Sequence, residues 1–450
     1  MSPVAAETET IAQGCGLVVG FCGPQSGPDM TRGWIVVIGL FLEALTSGAN
    51  DGDALYRRFN DPPHAYFGRT PRDRFTLLKD DLESGRLELD RTSEKAFLRS
   101  LLKRLGIPEA SQMLVFSTTS LQLSRITPSN PRALYFNEDL YLGYIPGGRL
   151  ELAALDPELG AVFYIFDVPR EGETLKVERA TRCMNCHAGD DTGHVPGLVV
   201  KSVVPGPSGG SLDAFRLGQS GHGIPWEERF GGWYLTGTRG WTNHWGNTIG
   251  RSVNGVLTRI PNLMESRVNP ERYLQPGSDI LAQALHEHQV GFVNRVVGAT
   301  YRARSALSQA GGVIEALTEE DHRMLEEQAE SLVRYLLFVD EPALPPGGIE
   351  GDADFKEAFL QTRRTVDGDS LKDFDLKSRL FRNRCSYMIY SPLFGGLPEV
   401  IRSRVYRKLA AVLGDSGNGT GGNPPGLEPM EKQRIRKILR GTLSDLPTGW

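Results

Sequence analysis

The pentapeptide Cys183-Met184-Asn185-Cys186-His187 constrains this chain more than any other stretch of its sequence. Two cysteines that are separated by two residues and followed at once by histidine form the attachment signature of a c-type haem. In such a site, Cys183 and Cys186 form thioethers with the two vinyl groups of one porphyrin, and the imidazole of His187 is the proximal iron ligand. The motif therefore predicts one covalently bound haem c.

A Cys-x-x-Cys pair also occurs in redox dithiols and in zinc sites. A thioredoxin-type pair is expected where a helix follows a strand in a βαβ unit, and an all-cysteine zinc site needs a second pair of cysteines. The other downstream cysteine, Cys385, stands alone and far from the motif. Both alternatives stay open, but the sequence favours haem.

The overall composition is that of a globular protein without a strong electrostatic field. The 450 residues carry a formal net charge of −5, and 40% of them are hydrophobic. Nucleic-acid binding is not expected, because no basic patch stands out. The 52 glycines and 28 prolines indicate many ordered loops and short strands rather than a pure helical bundle.

The first 49 residues read as processing signals rather than as part of the fold. An apolar run at 34–42 follows Met30, and small residues at 47–49 precede Asn50, as in a secretory signal peptide that starts at Met30. Residues 1–29 would then be an upstream extension. The run is shorter than the ~20 apolar residues that span a bilayer. We expect a periplasmic or otherwise exported protein with no integral membrane segment once the signal is removed.

Hydrophobic periodicity predicts an α+β fold in three blocks after the signal. Residues 50–110 read as a helical segment, 111–275 as a β-rich region that carries the haem, and 276–450 as a helical region. The β-rich region is expected to be mostly antiparallel, with short strands at 114–117, 133–136, 140–144, 150–154, 161–166 and 232–238. A long helix is expected to start at Asp279.

Several further motifs are distinctive when they are taken together. They are Arg132-Ala-Leu-Tyr-Phe-Asn-Glu-Asp139, Asp156-Pro-Glu-Leu-Gly160, Val195-Pro-Gly197, Trp226 to Thr238, His244-Trp-Gly-Asn247, Glu287-His-Gln289 and Cys385 to Ser391. With the haem motif, they resemble a poorly characterised family of exported bacterial proteins with a single-haem cytochrome c domain, over residues 110–450. The resemblance implies haem binding and electron transfer, without an established substrate. The chain departs from the family at Trp245 and Phe292-Val293, where members often carry Met and Met-His.

The sixth ligand of the iron must come from elsewhere in the chain, unless that position is open for chemistry. His244 lies in a loop that can bring its imidazole to the iron as the sixth ligand. His288 lies on the apolar stripe of the predicted long helix, whereas its neighbour His286 is expected to point to solvent. His244 and His288 are therefore the candidate distal residues, and His222 or a methionine comes next.

These observations leave three function hypotheses. The first is a monohaem electron carrier with an unknown redox partner. The second is a haem oxidoreductase with an open distal site for peroxide or a small nitrogen oxide, in which His244 or His288 acts as acid or base. The third is a redox or gas sensor, although no signalling output domain is visible. A carrier is favoured over an enzyme.

Overall fold

The computed structural model describes residues 59–170, 172–214, 219–254, 256–414 and 427–450. These residues belong to one compact unit. The predicted signal peptide and the cleavage site near Asn50 lie outside the described residues. No helix in the described ranges is both long enough and apolar enough to cross a membrane.

The main sheet has six antiparallel strands in chain order, which is the predicted meander. Its strands are β1 (Met113–Val115), β2 (Arg132–Phe136), β3 (Leu140–Tyr144), β4 (Leu150–Asp156), β5 (Gly160–Phe166) and β6 (Glu178–Arg179). Two hairpins form separate two-stranded sheets, β7 (Val203–Pro205) with β8 (Ser211–Ala214) and β9 (Thr248–Val253) with β10 (Val256–Pro261). The α+β class and the antiparallel sheet are confirmed.

Two helices precede the sheet, α1 (Arg74–Glu83) and α2 (Glu94–Leu105). The bounds of α2 follow from local chemistry. The side chain of Ser93 accepts a hydrogen bond from the backbone N–H of Ala96, and Gly106 ends the helix in the left-handed conformation with φ 59°. Helix α1 covers one face of the main sheet, because the ring of Phe75 packs against Tyr164 and Phe166 of β5.

A short helix, α3 (Met184–His187), lies within the haem motif, and six more follow the sheets. They are α4 (Ile280–Gln309), α5 (Glu319–Leu336), α6 (Ala353–Leu360), α7 (Pro392–Gly395), α8 (Glu399–Leu413) and α9 (Pro429–Thr442). The side chain of Asp279 caps α4 by accepting the N–H of Ala282, so the predicted helix start is confirmed. Helix α4 lies over the sheet face opposite α1, where Tyr141 donates a 2.8 Å hydrogen bond to Gln289.

One prediction about this part of the chain is wrong. Residues 232–238 do not form a strand; they make only isolated bridges, Trp233 to Val115 and Thr236 to Asp279. Such bridges depend on contacts with distant segments, which local sequence does not specify. A further long-range contact is made by His64, which is buried against the ring of Tyr301 and lies 3.2 Å from the hydroxyl of Ser305.

Candidate functional site

The haem motif adopts a helical turn. A 3-10 turn at Thr181–Cys183 leads directly into α3, which ends at His187. Cys183, Cys186 and His187 therefore stand at positions i, i+3 and i+4, which share one face of a helix. Both thiols are free; that of Cys183 is half-buried and that of Cys186 is exposed. The turn thus presents two thiols and one imidazole on the same side.

The arrangement of the thiols does not favour a redox dithiol. An attacking cysteine in such a site works as a thiolate, which requires a lowered pKa. Here burial, with a smaller contribution from the nearby Glu151, raises the pKa of Cys183 to about 11. The strand before the motif, β6, belongs to an antiparallel sheet, so the βαβ context of a thioredoxin-type pair is not formed by the described strands.

The imidazole of His187 is held in one orientation. Its Nδ1 lies 3.0 Å from the carbonyl oxygen of Gly197, whose own N–H donates a 2.8 Å bond to the carbonyl of His187. A carbonyl only accepts, so Nδ1 carries the proton and Nε2 carries the lone pair. Burial lowers the pKa of His187 to about 4, so the ring is neutral at neutral pH. Among the described residues, Nε2 has no hydrogen-bond partner, which leaves it available to a metal.

The loop that supplies the Gly197 carbonyl is fixed from two sides. Pro196 accepts a 2.9 Å hydrogen bond from the N–H of Ala161 on β5. Asn294 on α4 accepts from the N–H of Leu198 at 2.8 Å and donates to its carbonyl at 2.9 Å. Gly197 itself is required by space, because a Cβ there would lie 2.4 Å from Oδ1 of Asn294. The position of the His187 ring thus depends on both the sheet and α4.

A row of side chains crosses the main sheet beneath the motif. Strand register places Phe136, Tyr141, Ala153 and Phe163 side by side on β2, β3, β4 and β5, so all four project from one face. We call this set the aromatic row. The ring of His187 packs on Phe163 at the β5 end, with ring centroids 4.2 Å apart. The smallest member, Ala153, lies in the middle of the row.

The aromatic row is less tightly covered than the other face of the same strands. Three of its members keep a small exposure: Tyr141 6%, Ala153 7% and Phe163 7%. Their neighbours on the opposite face are more fully enclosed: Leu142 0%, Leu152 1% and Val162 0%. The residual exposure is therefore greater on this face than on the other, which indicates a narrow gap above the row.

His286 of α4 lies at the far end of the aromatic row. Its ring centroid is 5.6 Å from Phe136, 5.6 Å from Tyr141 and 6.3 Å from Trp233, and the residue is only 7% exposed. Burial lowers the pKa of His286 to about 3. Within the described part of the chain, neither ring nitrogen has a hydrogen-bond partner. The prediction that His286 points to solvent is wrong.

An ion pair lies on the same sheet face. Nη1 of Arg132 is 2.8 Å from Oε2 of Glu151, and Arg132 reaches it by crossing over Gly143. Glu151 also accepts bonds from Ser120 and Gln122. Nε of Arg132 is buried and finds no hydrogen-bond partner in the described ranges. Burial is the largest cause of the lowered pKa of His187 and of His286. The positive charge of Arg132 lowers the pKa of both rings as well, because the guanidinium lies on the same side of the sheet.

His288, one of the two distal candidates, is fully buried, as the predicted stripe requires, but it is not free to bind iron. Its Nδ1 lies 2.7 Å from Nδ1 of His222, and its Nε2 lies 2.7 Å from the hydroxyl of Ser386. Both nitrogens are occupied. His222 stacks on the rings of Tyr335 and Phe338, so this pair forms a separate buried network.

His244, the other distal candidate, lies apart from both the aromatic row and the His222–His288 pair. Its Nε2 lies 3.2 Å from the carbonyl of Trp241, and its ring packs against Trp241 and Phe230. Burial lowers the pKa of His244 to about 4. The structure gives it no contact with the aromatic row, so neither predicted distal residue is brought together with His187.

A cavity near the motif is distinct from the gap above the aromatic row. It has a volume of about 460 Å³ and is lined by the loop after the motif, by His222 and by the α4 residues Asn294, Arg295 and Arg302. Neither His187 nor His286 lines it. It therefore does not supply an open distal position.

Comparisons with known proteins add no assignment. Among the described residues, no three or more His, Cys, Asp or Glu side chains are grouped so that they could hold a metal ion. No family model, no curated protein and no solved structure matches this chain. The resemblance over residues 110–450 stays a prediction.

Proposed function

We propose that this protein is an exported monohaem c-type cytochrome that transfers electrons. The observation that carries the proposal is the arrangement at the motif. Cys183, Cys186 and His187 share one face of a helical turn, and the Gly197 carbonyl fixes Nδ1 of His187 so that Nε2 is free. A proximal haem ligand needs this tautomer, because its second nitrogen donates to a backbone carbonyl or carboxylate.

The residues around the motif fit a haem. Cys183 and Cys186 would tether the porphyrin, His187 would bind its iron, and the aromatic row would provide an apolar wall. Arg132, with an unpaired buried nitrogen, would offer a charge partner for a propionate. A c-type haem supplies one-electron chemistry, in which the iron alternates between the ferric and ferrous states.

The exposure of the two cysteines supports exchange of electrons with another protein. Cys186 is exposed, whereas Cys183 is half-buried, so the porphyrin edge at Cys186 would face the surface. A redox partner would approach there, giving or accepting one electron. The formal charge of −5 over 450 residues provides no strong steering field, so we expect association to depend weakly on salt.

The test is whether the haem is covalent. The full chain is expressed with its own export signal in a bacterium that attaches haem c, and the periplasmic fraction is extracted with acid acetone. A pyridine haemochrome spectrum of the residue is then recorded. We expect the colour to stay with the polypeptide and the mature N-terminus, read by mass spectrometry, to lie near Asn50.

Variants identify the attachment residues. Replacing Cys183 or Cys186 with Ala should lose one thioether and shift the haemochrome band, and replacing both should release the haem. Cys385→Ala is the matched control, because Cys385 is buried away from the motif and should leave attachment unchanged. Haem that extracts into acetone from the unmodified protein would contradict the proposal.

A further inference from the structure

The gap above the aromatic row is bounded by an imidazole at each end. His187 packs on Phe163 of β5, and His286 packs on Tyr141 of β3 and Phe136 of β2. Because Phe163, Ala153 and Tyr141 are direct cross-strand partners, both imidazoles stand on the same sheet face. Strands β5 and β3 are two spacings apart, about 10 Å. That span admits one flat ring on edge with an imidazole on each side.

The ring nitrogens of His286 have no partner in the described part of the chain. A polar group that is largely buried normally makes a hydrogen bond. His286 is 7% exposed, is surrounded by Phe136, Tyr141 and Trp233, and has no hydrogen bond within the described ranges. His222 and His288 lie within hydrogen-bonding distance of each other, whereas His244 has Nε2 beside the carbonyl of Trp241 and leaves its buried Nδ1 without a partner in the described ranges. What distinguishes His286 from these three is its place on the aromatic row.

We infer that His286 is the second axial ligand, opposite His187, of the haem attached at Cys183 and Cys186. This inference rests on the proposed function. The residual exposure of Tyr141, Ala153 and Phe163 marks the gap that the porphyrin would fill. Ala153, the smallest member of the row, lies between the two ends. The protein is then a bis-histidine cytochrome with no open coordination position, which fits a carrier rather than a peroxide or nitrogen-oxide enzyme.

The spin state of the ferric protein tests this inference. The unmodified protein should be six-coordinate and low-spin, and its ferrous form should bind carbon monoxide slowly or not at all. His286→Ala should keep its covalent haem, as measured by haemochrome, but become high-spin and bind carbon monoxide readily. Added imidazole should return it to low spin. His244→Ala is the control and should stay low-spin, because His244 does not contact the aromatic row.

A second variant keeps the test decisive if His286→Ala does not fold. His286→Met supplies a thioether in the same place, so it should remain low-spin and show a sulfur-to-iron charge-transfer band with a raised reduction potential. A high-spin unmodified protein, or a low-spin His286→Ala, overturns the assignment of His286 while the covalent haem stands. A protein without covalent haem overturns the proposed function instead.

Discussion

The contact between Gly197 and Asn294 offers a quantitative test of how the proximal side is held. A Cβ at Gly197 would lie 2.4 Å from Oδ1 of Asn294 and 3.0 Å from Cβ of Thr192. Alanine is compatible with the backbone there, since Gly197 is not in the left-handed region. The cost of Gly197→Ala is therefore steric: the loop has to move away from α4.

The magnitude follows from the bonds that this movement breaks. Asn294 makes two hydrogen bonds to Leu198, and Gly197 and His187 exchange two more. At about 1 kcal/mol for each bond, Gly197→Ala should reduce the free energy of unfolding by about 4 kcal/mol, and Asn294→Ala by about 2 kcal/mol. In the double variant the clash with Oδ1 is absent and the bonds of Asn294 are lost only once, so the loss should be about 2–4 kcal/mol rather than the sum of about 6.

The assay is urea unfolding of the four proteins, followed by circular dichroism, in a double-mutant cycle. Gly210→Ala combined with Asn294→Ala is the control pair, because a Cβ at Gly210 meets no atom within 4 Å and its effect should simply add. In the proposed haem protein, Gly197→Ala should also raise the reduction potential, since loss of the Nδ1 bond would make His187 a weaker donor to ferric iron. Additive losses with an unchanged potential would refute the reasoning.

Two more predictions concern buried charge and acid stability. Arg229 is 1% exposed and pairs with Glu287 at 3.3 Å, and burial raises the pKa of Glu287 to about 7, so the carboxylate is charged only above that pH. At pH 8, Glu287→Ala leaves the buried guanidinium without its carboxylate and should cost about 3–5 kcal/mol in urea unfolding. A loss below 1 kcal/mol, similar to that of an exposed control such as Glu265→Ala, would show that the pair is not needed. Burial lowers the pKa of His64 from 6.5 to about 4, so the folded state disfavours the proton that the unfolded chain binds. Stability from this group is complete above pH 6.5 and falls as the pH drops to about 4, by on the order of 3 kcal/mol. His64→Phe, which keeps the stack on Tyr301, should flatten that part of the stability curve, and an unchanged slope between those pH values would contradict it.

The sequence predicts the secondary structure of this chain correctly where neighbouring residues determine it. The cap at Asp279 predicts the start of α4 correctly, since a helix terminus is satisfied by residues next to it. The meander is predicted equally well, because short alternating strands with tight turns pair with their neighbours. The segment 232–238 fails for the opposite reason: its composition suits a strand, but it makes only isolated bridges to Val115 and Asp279.

Helical periodicity does not predict which histidine of α4 lies at the aromatic row. An apolar stripe separates buried from exposed residues only on a helix with one face in water. Every residue of α4 from Ile280 to Val293 is buried, so His286 and His288 both lie in the interior although they point in different directions. Which of them faces the motif depends on the sheet register that places Phe136 beside Tyr141. One sequence signal was available: a long helix with few charges in its first half is typical of one enclosed on all sides.

Helix α4 contributes to both ends of the candidate site. Asn294 fixes the loop that orients His187, while His286 stands at the far end of the aromatic row, eight residues away on the same helix. At 1.5 Å per residue, these two points are about 12 Å apart along a rigid axis. Here the position of both imidazoles depends on α4, and α4 in turn depends on the helices that bury it, such as α5, where Tyr335 donates to the carbonyl of His288. A substitution that shifts α4 as a body should therefore change the proximal and distal sides together, whereas one at Gly197 should change only the proximal side.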